Sequence, residues 1–253
     1  MDTTLDMLSQ QPYRCRLEWG RDGARRASAQ RDILVIVDTL RFSTAVVTAV
    51  HHGAIIYPCD PTDDPEALAR RVGAVVAAYR RDMLATHPYS LSPLSYDEAP
   101  TGTRIVLPSP NGAVCSRYGR DAPHLFVGAL VNATAVSRAV SSILARTEAA
   151  VTIIACGERW PAPTDDGELR VAIEDYLGAG AILSRLPFSK SPEARVCEAA
   201  FLGAQGQLRE LLQDSVGGRE LRQKGYGADV ARAACLDLYE AVPTMRQERL
   251  ERF

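Results

Sequence analysis

Residues 33–48 read ILVIVDTLRFSTAVVT. The first five are apolar and largely β-branched, a short run that predicts a buried strand. Asp38 closes it, Arg41 follows three residues on, then Ser43 and Thr44, and then an apolar run with helical spacing. A strand opening onto a carboxylate, a guanidinium and two hydroxyls at a helix start has the layout of an anion or phosphate site. The same residues also read as a strand, a polar turn and a Ser43 N-cap, with Asp38 and Arg41 as a local ion pair. The rest of the chain has to decide between the two.

Working outward, strand and helix patterns alternate. Tyr13 to Trp19 reads as an edge strand and Arg21 to Gln30 as a loop, so residues 1–30 form an extension or edge strand to a single domain over 31–253. Ala54 to Tyr57 predicts a second short strand, and Pro65 opens an amphipathic helix over Glu66 to Arg80. Periodicity is lost from Met83 to Thr103, a length of loop that is usually functional or disordered. Strands follow at Arg104–Leu107, His124–Val127 and Val151–Ala155. Helices are predicted over Ala113–Tyr118, over Ala133–Ala145 with Asn132 as its cap, and over about Leu169–Ser184. Beyond Pro187 the pattern is helical: 192–202, 208–212, 215–224 and 227–238. The charged segment from Val242 to Phe253 is a short strand or a frayed tail. Repeated strand–loop–helix units predict an α/β fold, a mostly parallel sheet flanked by helices with a helical C-terminal portion.

Length and composition narrow the classes. With 253 residues, one domain or two small ones is expected, and 46% hydrophobic with 24% charged residues is the balance of a globular protein. A formal net charge of −2 gives no bulk basic face, so no nucleic-acid partner is expected. No run approaches a transmembrane length, so no membrane partner is expected. The start, MDTTLDMLSQQPYRCR, lacks a basic region followed by an apolar one, and a cytoplasmic protein is expected. Six scattered cysteines without CxxC argue against structural zinc and for a reducing compartment. A homo-oligomer is compatible with all of this.

In an open α/β sheet ligands bind at the carboxyl ends of strands. That rule collects Asp38 and Arg41, then Ser109, Asn111 and Gly112, then Gly128 and Asn132, then Cys156, Gly157 and Glu158 on one rim. The next helix adds Glu174 and Asp175, which are adjacent, so their side chains diverge by about 100° and one of the two is expected at the site. Oxygen ligands with room for water suit Mg²⁺. Arg41, Ser43, Thr44, Asn111, Gly112 and Asn132 are the candidates for the phosphate. The expected metal ligands are Asp38, Glu158, Glu174 and Asp175, and the expected catalytic residues Asp38, Arg41 and Glu158. His51, His52, His87 and His124 have no metal spacing. Other phosphate chemistries fail at their motifs. Cys15 and Arg21 have C-x₅-R spacing but Asp22 follows. Leu40 stands where an aspartate-nucleophile phosphatase needs a second Asp. Neither GxxxxGK[ST] nor GxGxxG occurs.

The run VDTLRFSTAVVTAVHHGA resembles the 2-phosphosulfolactate phosphatase family, whose segment typically reads Asp-Val-Leu-Arg-Ala-Ser-Thr-Thr before an apolar helix and Gly-Ala. SLSPLSY at 90–96 is similar to the family's Gly-Asn-Ser-Pro stretch, and PNGA at 110–113 to its Asn-Gly-Thr turn. Gly128 with Asn132, ACGE at 155–158, EDYLGAGAI at 174–182 and SVGGREL with Gly225, Asp229 and Val242-Pro243 continue the resemblance in order. It implies an Mg²⁺-dependent α/β hydrolase that removes phosphate from 2-phosphosulfolactate, a step toward coenzyme M, or from a related small phosphorylated acid or alcohol. A non-catalytic homologue that binds a phosphorylated metabolite is the alternative. A different metal-assisted hydrolase or lyase on this scaffold is a further one. Leu91, Ala113 and Ala45 replace polar family residues, and the insertion TDDGELR precedes Glu174-Asp175. These departures bear on the organic part of the substrate more than on phosphate, because a site that hydrogen-bonds a polar group rejects analogues lacking it.

Overall fold

The computed structural model describes residues 9–160 and 169–253. Most of the TDDGELR insertion lies outside them. Nine strands form one sheet: β1 (Cys15–Trp19), β2 (Ile33–Val37), β3 (Ile55–Cys59), β4 (Val75–Val76), β5 (Arg104–Pro108), β6 (Leu125–Val127), β7 (Val151–Ala155), and two C-terminal strands, β10 (Pro243–Arg246) and β11 (Arg249–Arg252). Their order is β1-β7-β2-β6-β10-β11-β3-β5-β4. A separate two-stranded ribbon pairs β8 (Glu158–Arg159) with β9 (Leu169–Arg170).

The helices are α1 (Gly20–Ala29), α2 (Phe42–His51), α3 (Pro65–Val72), α4 (Gly112–Tyr118), α5 (Ala133–Leu144), α6 (Ile173–Leu183), α7 (Pro192–Ala204), α8 (Leu208–Asp214), α9 (Val216–Gln223) and α10 (Gly227–Ala233). Strand β2 is buried along its whole length, and its period of two feeds two cores. Ile33, Val35 and Val37 pack with α5, α6 and α7 on one face. Leu34 and Ile36 pack with α1, α2 and α4 on the other. A strand covered on both faces needs no polar alternation, which is why ILVIV is unbroken.

The sheet is mostly parallel, in two blocks. β1, β7, β2 and β6 run one way; β3, β5 and β4 are parallel to one another. Three antiparallel pairings, β6 to β10, β10 to β11 and β11 to β3, separate the blocks, so they run in opposite senses. The carboxyl ends of β2 and β5 therefore do not share one simple rim. Twist of about 20–25° per strand accumulates over the five steps between them, and the chain leaving β5 enters α4, which packs on α1, β3 and β2.

Several elements differ from the sequence reading. Arg21–Gln30 is helical: Gly23, Ala24, Ala27 and Ser28 make a buried stripe of small residues that carries little hydrophobic signal. The helix expected over 66–80 stops at Val72, where Gly73 takes φ +65 and the chain turns into β4. The helix expected from about Leu169 begins at Ile173, because Leu169 and Arg170 pair with β8. The charged C-terminal segment is a hairpin within the sheet, anchored by buried Pro243, Thr244 and Leu250. α5 is not capped by the side chain of Asn132. Asp237 does that work from afar, accepting from Thr134 N–H and hydroxyl at 2.7 Å each. Among the described residues no helix is long and apolar enough to cross a membrane.

Candidate active site

The chain leaving β2 builds the site. Asp38 is buried, and both its oxygens accept backbone N–H bonds: Oδ1 from Phe42 at 3.1 Å and Oδ2 from Gly112 at 2.8 Å. The second bond reaches the start of α4 and fastens the two sheet blocks at this point. Gly112 has to be glycine, since a Cβ there would lie 2.2 Å from the Phe42 ring and 2.9 Å from Asp38 Oδ2. Asp175 mirrors this arrangement. Its oxygens accept from Thr39 N–H at 2.7 Å and Gly157 N–H at 2.8 Å, tying the loops after β2 and β7 to the first turn of α6. Carboxylates in a first helical turn also gain from the helix dipole. The Leu40–Arg41 peptide is cis.

Two further acids complete the group. Glu158 Oε2 accepts from the Asn111 amide at 2.9 Å. Glu174 is buried beneath α9, where a Cβ on Gly217 would stand 2.4 Å from its Oε1. Both acids adjacent on α6, Glu174 and Asp175, are thus at the site, the one turned toward α9 and the other toward the loops, as their angular separation dictates.

Burial raises all four carboxyls, and repulsion within the group adds to it for Asp38, Glu174 and Asp175. Asp38 is pushed up to about 7, first by burial and then by Glu158, with Glu174 adding to it and the Gly112 and Phe42 N–H groups opposing. Asp175 is raised by burial, then by Asp38 and Glu174. Glu174 is raised by burial, then by Glu158. Glu158 is raised by burial, against the Asn111 amide and Arg170. Arg170, on β9, is the cation that acts on both glutamates. Cys156 sits among these groups, its thiol pushed up by burial and by Cys115, which keeps it protonated and unsuited to be a nucleophile. A cavity of about 220 Å³ opens beside Asn111, Glu158 and Cys156. Among the described residues no three His, Cys, Asp or Glu side chains converge as a ready-made metal cage. The donors are all hard oxygens, with Glu158 and Glu174 the least committed to backbone partners.

Other candidates from the sequence stand differently. Ser43 is not a helix cap: its hydroxyl accepts from Asp38 N–H and donates to Ile36 carbonyl, which braces the turn. Thr44 donates to Thr39 carbonyl. Both are fully buried, so neither hydroxyl faces a ligand. Asn132 is likewise fully buried, its amide taken by Ala129 N–H and by the carbonyls of Val127 and Ala241. Ser109 and Gly128 serve as turn and packing residues, with Gly128 pressed between Ile182 and Val35. Arg41 does not pair with Asp38. Its Nη1 donates to Asp229 on α10 at 2.7 Å, and its guanidinium lies 4.1 Å from the centre of the Tyr226 ring. The other Asp229 oxygen accepts from Ser92 hydroxyl at 2.7 Å. Asp229, Ser92, Tyr226 and Gly217 carry no local signal of such roles, since each acts on a residue far away in the chain; Arg170 acts closer by, on Glu158 and Glu174.

The comparisons with known proteins agree with this architecture. A family model described as 2-phosphosulpholactate phosphatase matches residues 22–248. A protein of Carboxydothermus hydrogenoformans named "Probable 2-phosphosulfolactate phosphatase" is 29% identical over 223 residues, covering 85% of this chain and 87% of its own. One of the same name from Gloeobacter violaceus is 30% identical over 224 residues, covering 84% and 87%. The "2-phosphosulfolactate phosphatase" of Methanocaldococcus jannaschii is 23% identical over 221 residues, covering 86% and 91%. With a family model spanning nearly all of its sheet and helices, this chain belongs to the 2-phosphosulfolactate phosphatase family.

Proposed function

We propose that the chain is a phosphoric monoester hydrolase that releases phosphate from 2-phosphosulfolactate or a closely related phosphorylated acid, with Mg²⁺ at the carboxylate group. The observation that carries this reading is the gathering of Asp38, Glu158, Glu174 and Asp175, each raised by burial and by its acidic neighbours. Four such groups with one nearby arginine favour a cation. Mg²⁺ usually takes one or two carboxylates, keeps several waters and borrows substrate phosphate oxygens. The donors of this group are carboxylate oxygens, the ligand type that Mg²⁺ takes.

Glu158 and Glu174 would hold the ion, with Asp38 and Asp175 reaching it through water. When bound, Mg²⁺ supplies charge neutralisation to the phosphoryl group. Asn111 orients Glu158 through its amide. Arg170 adds positive charge that acts on both glutamates. Asp38, pushed up to about 7, can hold or release a proton near neutral pH, which suits a group that takes a proton from attacking water or returns one to the leaving alkoxide.

The test is phosphate release from 2-phosphosulfolactate with and without Mg²⁺. Asp38→Asn is expected to lower the rate by about 10²–10⁴-fold, the usual worth of a positioned acid or base. Full activity in that variant, or no release by the wild-type protein with Mg²⁺, overturns the reading.

A further inference from the structure

Helix α9 begins directly over Glu174. It opens Ser215-Val216-Gly217-Gly218, and neither glycine has room for a side chain. A Cβ on Gly217 would press on Glu174 Oε1, and one on Gly218 on the carbonyl of Leu212. The turn is therefore held against α8 on one side and against Glu174 on the other. Ser215 stands at its start, 4% exposed. Its hydroxyl accepts from Gly218 N–H at 2.9 Å, which caps the helix.

A hydroxyl has two acceptor sites and one proton. The cap uses an acceptor site and leaves the proton. Two acceptors lie within its reach, the Leu212 carbonyl at 3.0 Å and the carboxylate of Glu174. The carboxylate is the stronger of the two, since hydrogen bonds to ionised groups are about twice as strong as neutral ones. Around Glu174 stand also its own backbone N–H, Arg170 and the acid Glu158. Glu158 is held in a parallel way. Asn111 is at the N-cap position of α4, makes no side-chain cap there, and gives its amide to Glu158 instead. Each glutamate thus meets a neutral donor at the start of a helix. A neutral donor fixes a carboxylate without cancelling its charge, where a bound guanidinium would compete with a cation. Carboxylates that ligate metals are commonly oriented by such partners.

We infer that Ser215 is a positioning residue for Mg²⁺ binding, its hydroxyl fixing the carboxylate of Glu174 in the orientation that takes the cation. Glu174 has its metal role from the phosphatase reading, on which this assignment rests. Ser215 touches neither substrate nor reacting atoms. It acts through Glu174, and capping α9 is what brings its hydroxyl there.

Mg²⁺ is titrated calorimetrically into the full chain without substrate. Ser215→Ala is expected to weaken Mg²⁺ about tenfold, the lower end of what an outer partner of a metal ligand contributes. Ser215→Gly separates the donor from the cap, because glycine is tolerated at an N-cap, and the same loss is expected. Ser215→Thr returns the hydroxyl and is expected to bind close to the wild-type affinity. In a Glu174→Gln background Ser215→Ala is expected to change Mg²⁺ affinity no further, as for two residues acting as one unit. Wild-type affinity in the Ala and Gly variants, a loss in Ser215→Ala that Ser215→Gly does not share, a Thr variant as weak as Ala, an equal loss in the Glu174→Gln background, or no Mg²⁺ binding by the wild-type chain overturns the assignment. A wild-type chain that binds Mg²⁺, weakens on both substitutions and yet releases no phosphate from 2-phosphosulfolactate upholds Ser215 and sinks the phosphatase reading alone.

Discussion

Strand β2 carries a buried aspartate at each end. Asp32 at its foot is 3% exposed and Asp38 at its head 5%, so burial does not distinguish them. Their partners do. Asp32 accepts from Arg16 at 3.0 Å and from Thr152 hydroxyl at 2.6 Å. Burial raises its pKa, and Thr152 and Arg16 pull it back. Asp38 has backbone N–H groups only, and Glu158 and Glu174 push it further up. At the foot the fold carries its own counter-charge. At the head the carboxylate has backbone N–H groups and acidic neighbours instead.

The largest effect separating the two ends is in stability. Arg16→Ala leaves Asp32 buried without its cation and is expected to cost about 3–5 kcal/mol. Asp38→Asn removes a charge that has no side-chain cation beside it but sets an amide NH₂ against one of two backbone N–H donors, and is expected to cost less, about 1–3 kcal/mol. Urea unfolding at neutral pH measures both, and comparable losses would erase the distinction.

The next is a pH dependence. A carboxyl raised in the folded state keeps its proton while the unfolded chain has lost it. Its penalty is absent below the unfolded value, near 4, and complete above the folded value, about 7 for Asp38. Stability without divalent cation is therefore expected to fall as pH rises through that window, by at most about 4 kcal/mol from this group. Saturating Mg²⁺ is expected to flatten the fall. A melting temperature that climbs from pH 5 to pH 8 without metal would contradict it.

The smallest is a displacement of one carboxylate. Gly217→Ala would bring a Cβ to within 2.4 Å of Glu174 Oε1, so the side chain must turn away. Alanine favours the helix by up to about 1 kcal/mol, so stability is expected to hold while phosphate release drops roughly tenfold, equivalent to about 1.4 kcal/mol. Unchanged turnover would remove Glu174 from the site.

What could be read in the sequence followed how local the cause was. ILVIV and VTIIA are strands because each residue is apolar on whichever face it meets, and Val151–Ala155 falls where the pattern puts it. The acids of the site could be listed because each ends a strand or opens a helix. The Arg41–Asp229–Ser92 network was not readable, since its members lie 188 and 137 residues apart. Nor was the fate of Ser43 and Thr44, whose hydroxyls look available in a motif and are consumed by backbone groups within seven residues. α1 escaped notice because its buried face is glycine, alanine and serine, and the reversal of the second sheet block because no strand records the direction of its neighbours.

The C-terminal hairpin gives the order of synthesis a physical meaning. Residues 244 and 250 dock on Phe126 of β6 and Ile56 of β3, strands that otherwise end their blocks with an open edge. Until those residues leave the ribosome, the nascent chain holds two half-sheets whose inner edges are templates for pairing with other chains. The charged residues of the hairpin, Arg246, Glu248, Arg249, Glu251 and Arg252, thus arrive after both strands they join, at the place where an uncharged strand would be most hazardous, and the time between translation of β6 and of β11 is the interval in which a chaperone would matter most.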